Sequence, residues 1–587
     1  MKSRRLRTAS SLLLITGVAL AIMLPFARQA FSLDGALELD YTQYEVQHPL
    51  AQSLPNYDYF GVRFNNYFNT HPRFMSLYLS LVTRLSGGIS ELPVHLALTI
   101  FPLIGAVGMY FLGRRFRVSG LVAALLFLVS PMLMVDAHME TVDVPGVSLW
   151  ISAIAVFIFA VDRRSNLLLA LSTLLMVLAS QTFFQGLAVL PLALAYLVIN
   201  RQFRLLNFLP VAASGLLFGG YLLAIYVAYG QLPRFSYHQH FNFNSTTSLL
   251  AQLRGNLTVL GGTLLFPLAA LAGFAARWTS ALVFAAASLM TWSWSLVKFD
   301  LGQYSFSDML LLSIMLPVGI TVVYLMLERS LAAIFRSRTR RVRQDRDALF
   351  LGVWFFGVLG YAILFLPYPA PRYLLPALPA VILSLLMVWR GIVKSHWLKF
   401  SLALAAIAAT MGLSTVLSLT YRDIANNARQ AAEWAHSNYA NTQGVWYNGG
   451  FGFGYYMKEY GYNLTPNVLN EFIAQTAQPL GEPHPGDRVI YSIQNGAWVP
   501  YPSVMKRLRP EKFIDFYNRQ LLAMPCAGTD KCWWNAGFLP YTIDTQGELS
   551  DEVTVWRIAA RPNPLDASQL QIYSQIGITH PDTLAGK

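Results

Sequence analysis

Two acidic stretches and one isolated arginine are the groups in this 587-residue sequence whose types and spacing suit chemistry. SLDGALELDYTQYEVQHPL carries Asp34, Glu38, Asp40 and Glu45, with Asp58 following, and VDAHMETVDVPGVSLW carries Asp136, His138, Glu140 and Asp143. FLPYPAPRYLLPALPAVILSL has Arg372 as its only charge, behind three prolines that break a helix and restrict the turn. A carboxylate can accept the proton of an attacking hydroxyl. A fixed guanidinium can neutralise the charge that develops on a departing phosphate. Together they suit transfer of a group from a phosphate ester to a hydroxyl. Each also has a plainer reading: loop acids are solvated, Asp143 caps the helix that follows it, and Arg372 anchors an aromatic membrane interface.

That chemistry requires the acids and the arginine on one face, which the surrounding elements decide. The chain is 55% hydrophobic and only 12% charged, with mean hydropathy +0.43, where soluble domains are about 25% charged. Apolar runs of roughly 16–22 residues, long enough to cross about 30 Å of hydrocarbon, recur at 11–31, 93–113, 119–138, 144–161, 166–181, 184–199, 208–229, 257–276, 279–297, 307–327, 348–366, 373–389 and 400–421. Alternate connections between these predicted spans hold the basic clusters: Lys2/Arg4/Arg5/Arg7, Arg114/Arg115/Arg117, Arg163/Arg164, Arg201/Arg204, Arg277, Arg329–Arg346 and Arg390/Lys394/Lys399. The net charge of +13 is therefore read as topology signals and not as a nucleic-acid surface. The positive-inside rule puts the amino terminus in the cytoplasm, and an odd number of spans puts the carboxy-terminal region outside. The basic start followed by an apolar run is like a signal peptide, but its length and the lack of a small-x-small site favour a retained first span.

The expected organisation is an α-helical polytopic membrane module, residues 1–421, and a water-facing α/β domain, residues 422–587. The first exterior loop, 33–92, ends in FMSLYLSLVTRLSG, which suits a helix lying in the interface. In the exterior domain NNARQAAEWAHSNYA reads as helix, and GVWYNGG and GDRVIYSI read as strands. Cys526 and Cys532 close a short loop there; an oxidising compartment permits a disulfide, and no His partners complete a zinc shell. A transporter or lipid flippase is the rival reading. Such proteins place ionisable groups near the midplane and are often built from inverted repeats, whereas here the acids gather at one face and no repeat is evident. A receptor module with the bundle as anchor leaves about thirteen spans unexplained.

Four segments in order resemble the GT-C superfamily of glycosyltransferases, in particular the family 39-like group related to protein O-mannosyltransferases and to aminoarabinose transferases acting on lipid A. They are Asp40 and Tyr44 in LDYTQYEV, His71–Pro72 in NTHPRFMSLYLSL, the stretch GLVAALLFLVSPMLMVDAHMETVDVPGVSLW ending near Asp143, and PRYLLPALPAVILSL. The resemblance covers roughly residues 11–386. It implies a GT-C fold, a polyprenyl-phosphate-linked sugar as donor (undecaprenyl phosphate in a bacterial inner membrane), and inverting single-displacement transfer on the exterior side. By the resemblance Asp40 is the general base, Asp143 a second acid orienting the acceptor or a basic group, and Arg372 with Tyr373 the contact for the donor phosphate. Glu38, Tyr44, His71 and Glu140 are candidates for orienting donor or acceptor. Asp40 is followed by Tyr41 where the group has Glu, which opens the role to Glu38, and His71–Pro72 is followed by Arg73 where a second proline is common. Glu38 and Asp40 are also where a divalent metal would be sought. WWNAG at 533–537 is like the Trp-Trp-Asp motif of oligosaccharyltransferases but lacks its acid, and is read as coincidence. Sugar and acceptor stay open: glycolipid, polysaccharide and protein hydroxyls all fit.

Overall fold

The computed structural model describes residues 2–31, 35–49, 57–59, 62–64, 71–230, 232, 246–263, 278–300, 305–339, 343–366, 368–465, 483–492, 502–517, 520–524, 533, 539–543 and 549–564. Asp34, Cys526, Cys532 and most of WWNAG lie outside them, as do the side chains of the short hairpin Tyr57–Phe64 that holds Asp58.

The helices in chain order are α1 Lys2–Met23, α2 Gly35–Gln47, α3 Phe74–Ser86, α4 Glu91–Leu98, α5 Ile100–Arg115, α6 Gly120–Leu128, α7 Pro131–Asp136, α8 Asp143–Arg163, α9 Asn166–Thr182, α10 Val189–Asn200, α11 Leu209–Tyr229, α12 Thr246–Thr263, α13 Trp278–Asp300, α14 Phe306–Thr339, α15 Arg343–Phe365, α16 Pro371–Leu374, α17 Leu378–Ile392, α18 His396–Tyr439, α19 Phe451–Glu459 and α20 Pro502–Met505. Among the described residues nine helical stretches are long and apolar enough to cross a membrane, and 166–182 and 184–200 are shorter apolar helices. The thirteen predicted spans map onto these with two differences. Span 119–138 is two helices, broken where Ser130 stays extended and Pro131 opens α7, the position that proline favours. Span 257–276 begins inside α12 and continues beyond the described residues.

Helix α8 is the centre of the bundle, buried along most of its length, with α5 and α9 packed against it. Outer helices instead expose apolar residues, such as Leu216, Leu223 and Val227 of α11, a surface that lipid covers and water would not. Helix α3 buries Met75, Leu79 and Thr83 and turns Leu77, Leu81 and Leu85 outward, a four-residue repeat that makes one apolar stripe. Ser119, Ser165 and Ser395 cap α6, α9 and α18, each accepting from a backbone N–H three residues on, at 3.3–3.4 Å.

The Arg-rich turns have two further properties. Arg117, Arg164 and Arg201 sit at φ of 60°, 54° and 56°, the left-handed region in which helices usually end on glycine. Each costs on the order of 1 kcal/mol relative to glycine there, and each keeps a cation where topology calls for one. Reading Arg115 as a topology signal alone misses its place: it is buried. Its Nε meets Asp162 Oδ2 at 2.5 Å, one terminal nitrogen meets Asp347 at 3.1 Å, and the other donates to Tyr196 Oη at 2.9 Å. Tyr196 in turn donates to Asp162 at 2.7 Å. Four helices, α5, α8, α10 and α15, are thus joined by one buried charge. Arg115→Met would leave two carboxylates without their cation, a change that costs about 3–5 kcal/mol for buried pairs. The expected result is a large fall in melting temperature in detergent; a variant melting within a degree of wild type would remove the network from the stability account.

The carboxy-terminal region is built on a five-stranded mixed sheet of β1 (Val445–Asn448), β2 (Asn463–Leu464), β3 (Arg488–Ser492), β4 (Leu508–Tyr517) and β5 (Leu549–Ile558), in the spatial order β2-β1-β3-β5-β4. β1 is parallel to both β2 and β3; β5 runs antiparallel to β3 and β4. It bears out the expected α/β character. Helix α18 runs unbroken through residue 421, so bundle and domain share it. The domain is tied to the bundle by Leu522 O accepting from Thr420, Tyr541 Oη donating to Gly262 O, and Thr542 donating to Asp308, at 2.7–2.9 Å.

Candidate active site at the acidic face

The break between α7 and α8 brings four ionisable residues under cover. Asp136, His138 and Glu140 are essentially inaccessible and Asp143 nearly so; groups buried in this way need partners. Asp136, at the end of α7, accepts from the indole N–H of Trp533 at 2.8 Å. It lies within electrostatic reach of Asp143 and Arg372. His138 has Nε2 at 3.3 Å from Ile22 O and its ring 4.1 Å from Phe26, while its carbonyl accepts from Gln29. Glu140 meets His95 Nε2 at 2.7 Å. Gly35 opens α2 directly against this carboxylate, where a Cβ would collide with Glu140 Oε2. Asp143 is the first residue of α8, and the N-cap is Val142, without a side-chain cap. Its carboxylate therefore sits in the first turn, where the helix dipole favours an anion, and does not cap.

Helix α2 carries the acids of the first loop. Glu45 is buried and paired with Arg73 at 2.5 Å; burial pushes its carboxyl above the usual range while Arg73 pulls it back. This pair, with Arg84 donating to the carbonyls of Glu45 and Val46, fastens α2 to α3. Asp40 Oδ1 is 2.6 Å from Lys458 Nζ on α19. The rings of Tyr44 and His48 lie 4.6 Å apart, tilted by 39°, and His71 is half-buried just before α3. Glu38 is buried and lies two residues from Asp40, so the side chains leave the helix about 200° apart. Among the described residues no three His, Cys, Asp or Glu side chains converge as a metal site, and Glu38 and Asp40 do not fit a shared divalent ion.

Arg372 is presented by α16. Ala370 is extended and Pro371 starts the helix, so the proline-rich turn aims a short helix at α7. Arg372 donates to Tyr368 Oη at 3.0 Å and lies 5.2 Å from the Tyr373 ring, and the two tyrosine rings are 5.6 Å apart. Behind them is a cavity of about 370 Å³ lined by Trp150, Phe184, Trp354, Tyr361, Tyr373 and Pro376. Trp354 fixes its wall by donating to Pro376 O at 2.8 Å and stacking on Trp150. Tyr373 thus belongs both to the cavity and to the surroundings of the guanidinium.

The structure brings some of the residues singled out in the sequence into two groups. Asp136, Asp143, Arg372 and Tyr373 form one; the other is Glu140 against the start of α2, the helix that bears Asp40. It also adds residues. His95 is an ionisable group within an apolar span, which is itself a functional signal. Its neighbour Glu91 accepts from Arg429 at 3.1 Å and from Tyr456 Oη at 3.0 Å. Lys458 and Tyr455 come from α19 in the carboxy-terminal region, and nothing local in the sequence marks them. Trp533 is buried against Asp136, a role the motif comparison alone does not suggest.

Residues 70–226 match the profile of the dolichyl-phosphate-mannose-protein mannosyltransferase family, which bears out the resemblance to GT-C glycosyltransferases. No curated protein sequence matches the chain. Among solved structures, it is similar to the Archaeoglobus fulgidus oligosaccharyltransferase in its apo form, with 14% identity and TM-score 0.47 over 81% of this chain and 62% of that one. It is also similar to ArnT from Cupriavidus metallidurans bound to undecaprenyl phosphate, with 14% identity and TM-score 0.42 over 94% and 99% of the two chains. For the mycobacterial arabinofuranosyltransferase AftD the values are 13% and 0.38, over 94% and 40%. The chain therefore spans less than two thirds of the archaeal enzyme's length, and likenesses at these scores do not extend to a shared activity.

Proposed function

We propose that this multi-pass membrane chain, which carries the signature of the dolichyl-phosphate-mannose-protein mannosyltransferases over residues 70–226, is an inverting glycosyltransferase of the bacterial inner membrane. It would take a sugar from undecaprenyl phosphate and pass it to an acceptor hydroxyl at the periplasmic face. One observation carries the reading: Arg372 stands between an aromatic-lined apolar cavity, through Tyr373, and the buried acids, through Asp136. A cavity with a few convergent polar groups at its edge is the usual form of a small-molecule site. The isoprenoid tail occupies the cavity and the donor phosphate meets Arg372 and Tyr373. The acceptor oxygen attacks the anomeric carbon, and its proton passes to Asp40. The bond from that carbon to the phosphate oxygen breaks, and the electron pair leaves on polyprenyl phosphate, whose charge Arg372 balances. A single displacement inverts the anomeric centre. Asp143, beside Asp136, orients the arginine, while Glu38, Glu140, Tyr44 and His71 shape the pocket for donor and acceptor. The acceptor is a glycolipid, a polysaccharide or a protein reaching the face beneath the exterior domain.

The test is mass spectrometry of glycolipids and glycoproteins from a deletion strain. Loss of one glycoconjugate with build-up of its polyprenyl-phosphate donor supports transfer; an unchanged glycoconjugate set overturns it.

A further inference from the structure

Resting on the transferase reading above, we propose that Lys458 is a positioning residue for Asp40, so that the exterior domain completes the active site. Lys458 lies 418 residues from Asp40 in sequence, yet its Nζ is 2.6 Å from Asp40 Oδ1, a charge-assisted contact. The helix that bears it is held from several sides. Tyr456 donates its hydroxyl to Glu91 at 3.0 Å and accepts from the backbone N–H of Phe31 at 2.9 Å. Arg429 of α18 meets the same Glu91 oxygen. Tyr455, three residues before Lys458 and so on the same face of α19, packs edge-on against Phe31 at 5.4 Å. Burial and the carboxylates of Glu459, Asp40, Glu91 and Glu140 hold its phenol above the usual range. Residues 455–458 therefore sit among the acids of both loops.

A structural role does not account for this lysine. Its side chain is 53% exposed, and that of Asp40 14%. Ion pairs this open to water contribute roughly 0–1 kcal/mol to stability. What the contact does supply is orientation. With one oxygen held, the plane of the carboxylate is set, and with it the direction from which Asp40 can take the proton of the acceptor hydroxyl. Displacements on the order of 1 Å at a reacting group can cost about 10²-fold in rate. The long stem of lysine lets the head group follow Asp40 as acceptor enters.

The experiment uses purified full-length protein, total lipid extract of the source strain as donor, and the product missing from a deletion strain as readout. Lys458→Met is expected to lower kcat about 10²-fold, with KM for donor lipid and melting temperature unchanged, and Lys458→Arg to recover most of the loss. Gln520→Leu, which removes a contact of the domain with Asp423, controls for docking and is expected to keep wild-type kcat. Wild-type kcat in Lys458→Met with Asp40→Asn inactive overturns the positioning role and leaves the transferase reading standing. Equal losses in Lys458→Met and Gln520→Leu assign Lys458 to docking and also overturn it. Wild-type turnover in Asp40→Asn strikes Asp40 from the mechanism and overturns the positioning role with it, while transfer itself stands; no turnover in the wild-type protein overturns the transferase reading.

Discussion

Arg372→Ala is expected to lower turnover by about 10²–10³-fold, the usual loss when one donor to a developing charge is removed. Undecaprenyl phosphate, the proposed donor lipid, is expected to raise the melting temperature of the wild-type protein and not that of this variant. Both effects follow from its surroundings. The guanidinium donates to Tyr368 and lies against the face of Tyr373, a residue that lines the apolar cavity, with Asp136 within electrostatic reach. A phosphate arriving there leaves water and is worth more to a fixed cation than it would be in solution. Arg372→Lys is expected to recover only part of the loss, because an ammonium cannot make the two parallel bonds of a guanidinium and stacks less well on tyrosine. Full activity and unchanged lipid stabilisation in Arg372→Ala would return this residue to the role of interfacial anchor.

Replacing Asp40 by Asn keeps the shape of the side chain and removes its basicity. The expected cost is about 10²–10⁴-fold in turnover, at unchanged expression and donor binding. The position of Asp40 favours it over its neighbour. Glu38 is buried on another side of α2, whereas Asp40 is partly open and meets Lys458 of the carboxy-terminal region. Turnover in purified protein is the measurement, and a near-normal rate would strike Asp40 from the mechanism.

Much of the membrane module is legible because hydropathy has a simple physical cause: an apolar run must be long enough to satisfy its own backbone across lipid. That Asp136, Asp143 and Arg372 fall on one face follows from the same alternation, since Asp136 stands near the end of a predicted span and Asp143 and Arg372 just before the start of one. What the sequence hides are contacts between distant segments. Lys458 meets Asp40 across 418 residues, and Trp533 meets Asp136 across 397; no periodicity links such pairs. Arg115 shows a different limit. A basic residue next to Arg114 and Arg117 looks like one more topology signal, and only packing shows that it alone turns inward to Asp162 and Asp347. The break at Ser130–Pro131 was visible as a dipeptide, but its consequence, a short α7 that presents Asp136, required the fold.

Helix α18 has a consequence for dimensions. Its 44 residues measure about 66 Å end to end, and the hydrocarbon takes up about 30 Å of an upright helix. No proline interrupts it, which removes one of the usual causes of a kink. The helix therefore acts as a ruler between the apolar bundle and the sheet-bearing region. On the proposed reading an acceptor has to fit within that spacing, whatever its chemistry. Inserting or deleting one turn beyond residue 421 would change the spacing by about 5 Å and would draw Lys458 away from Asp40.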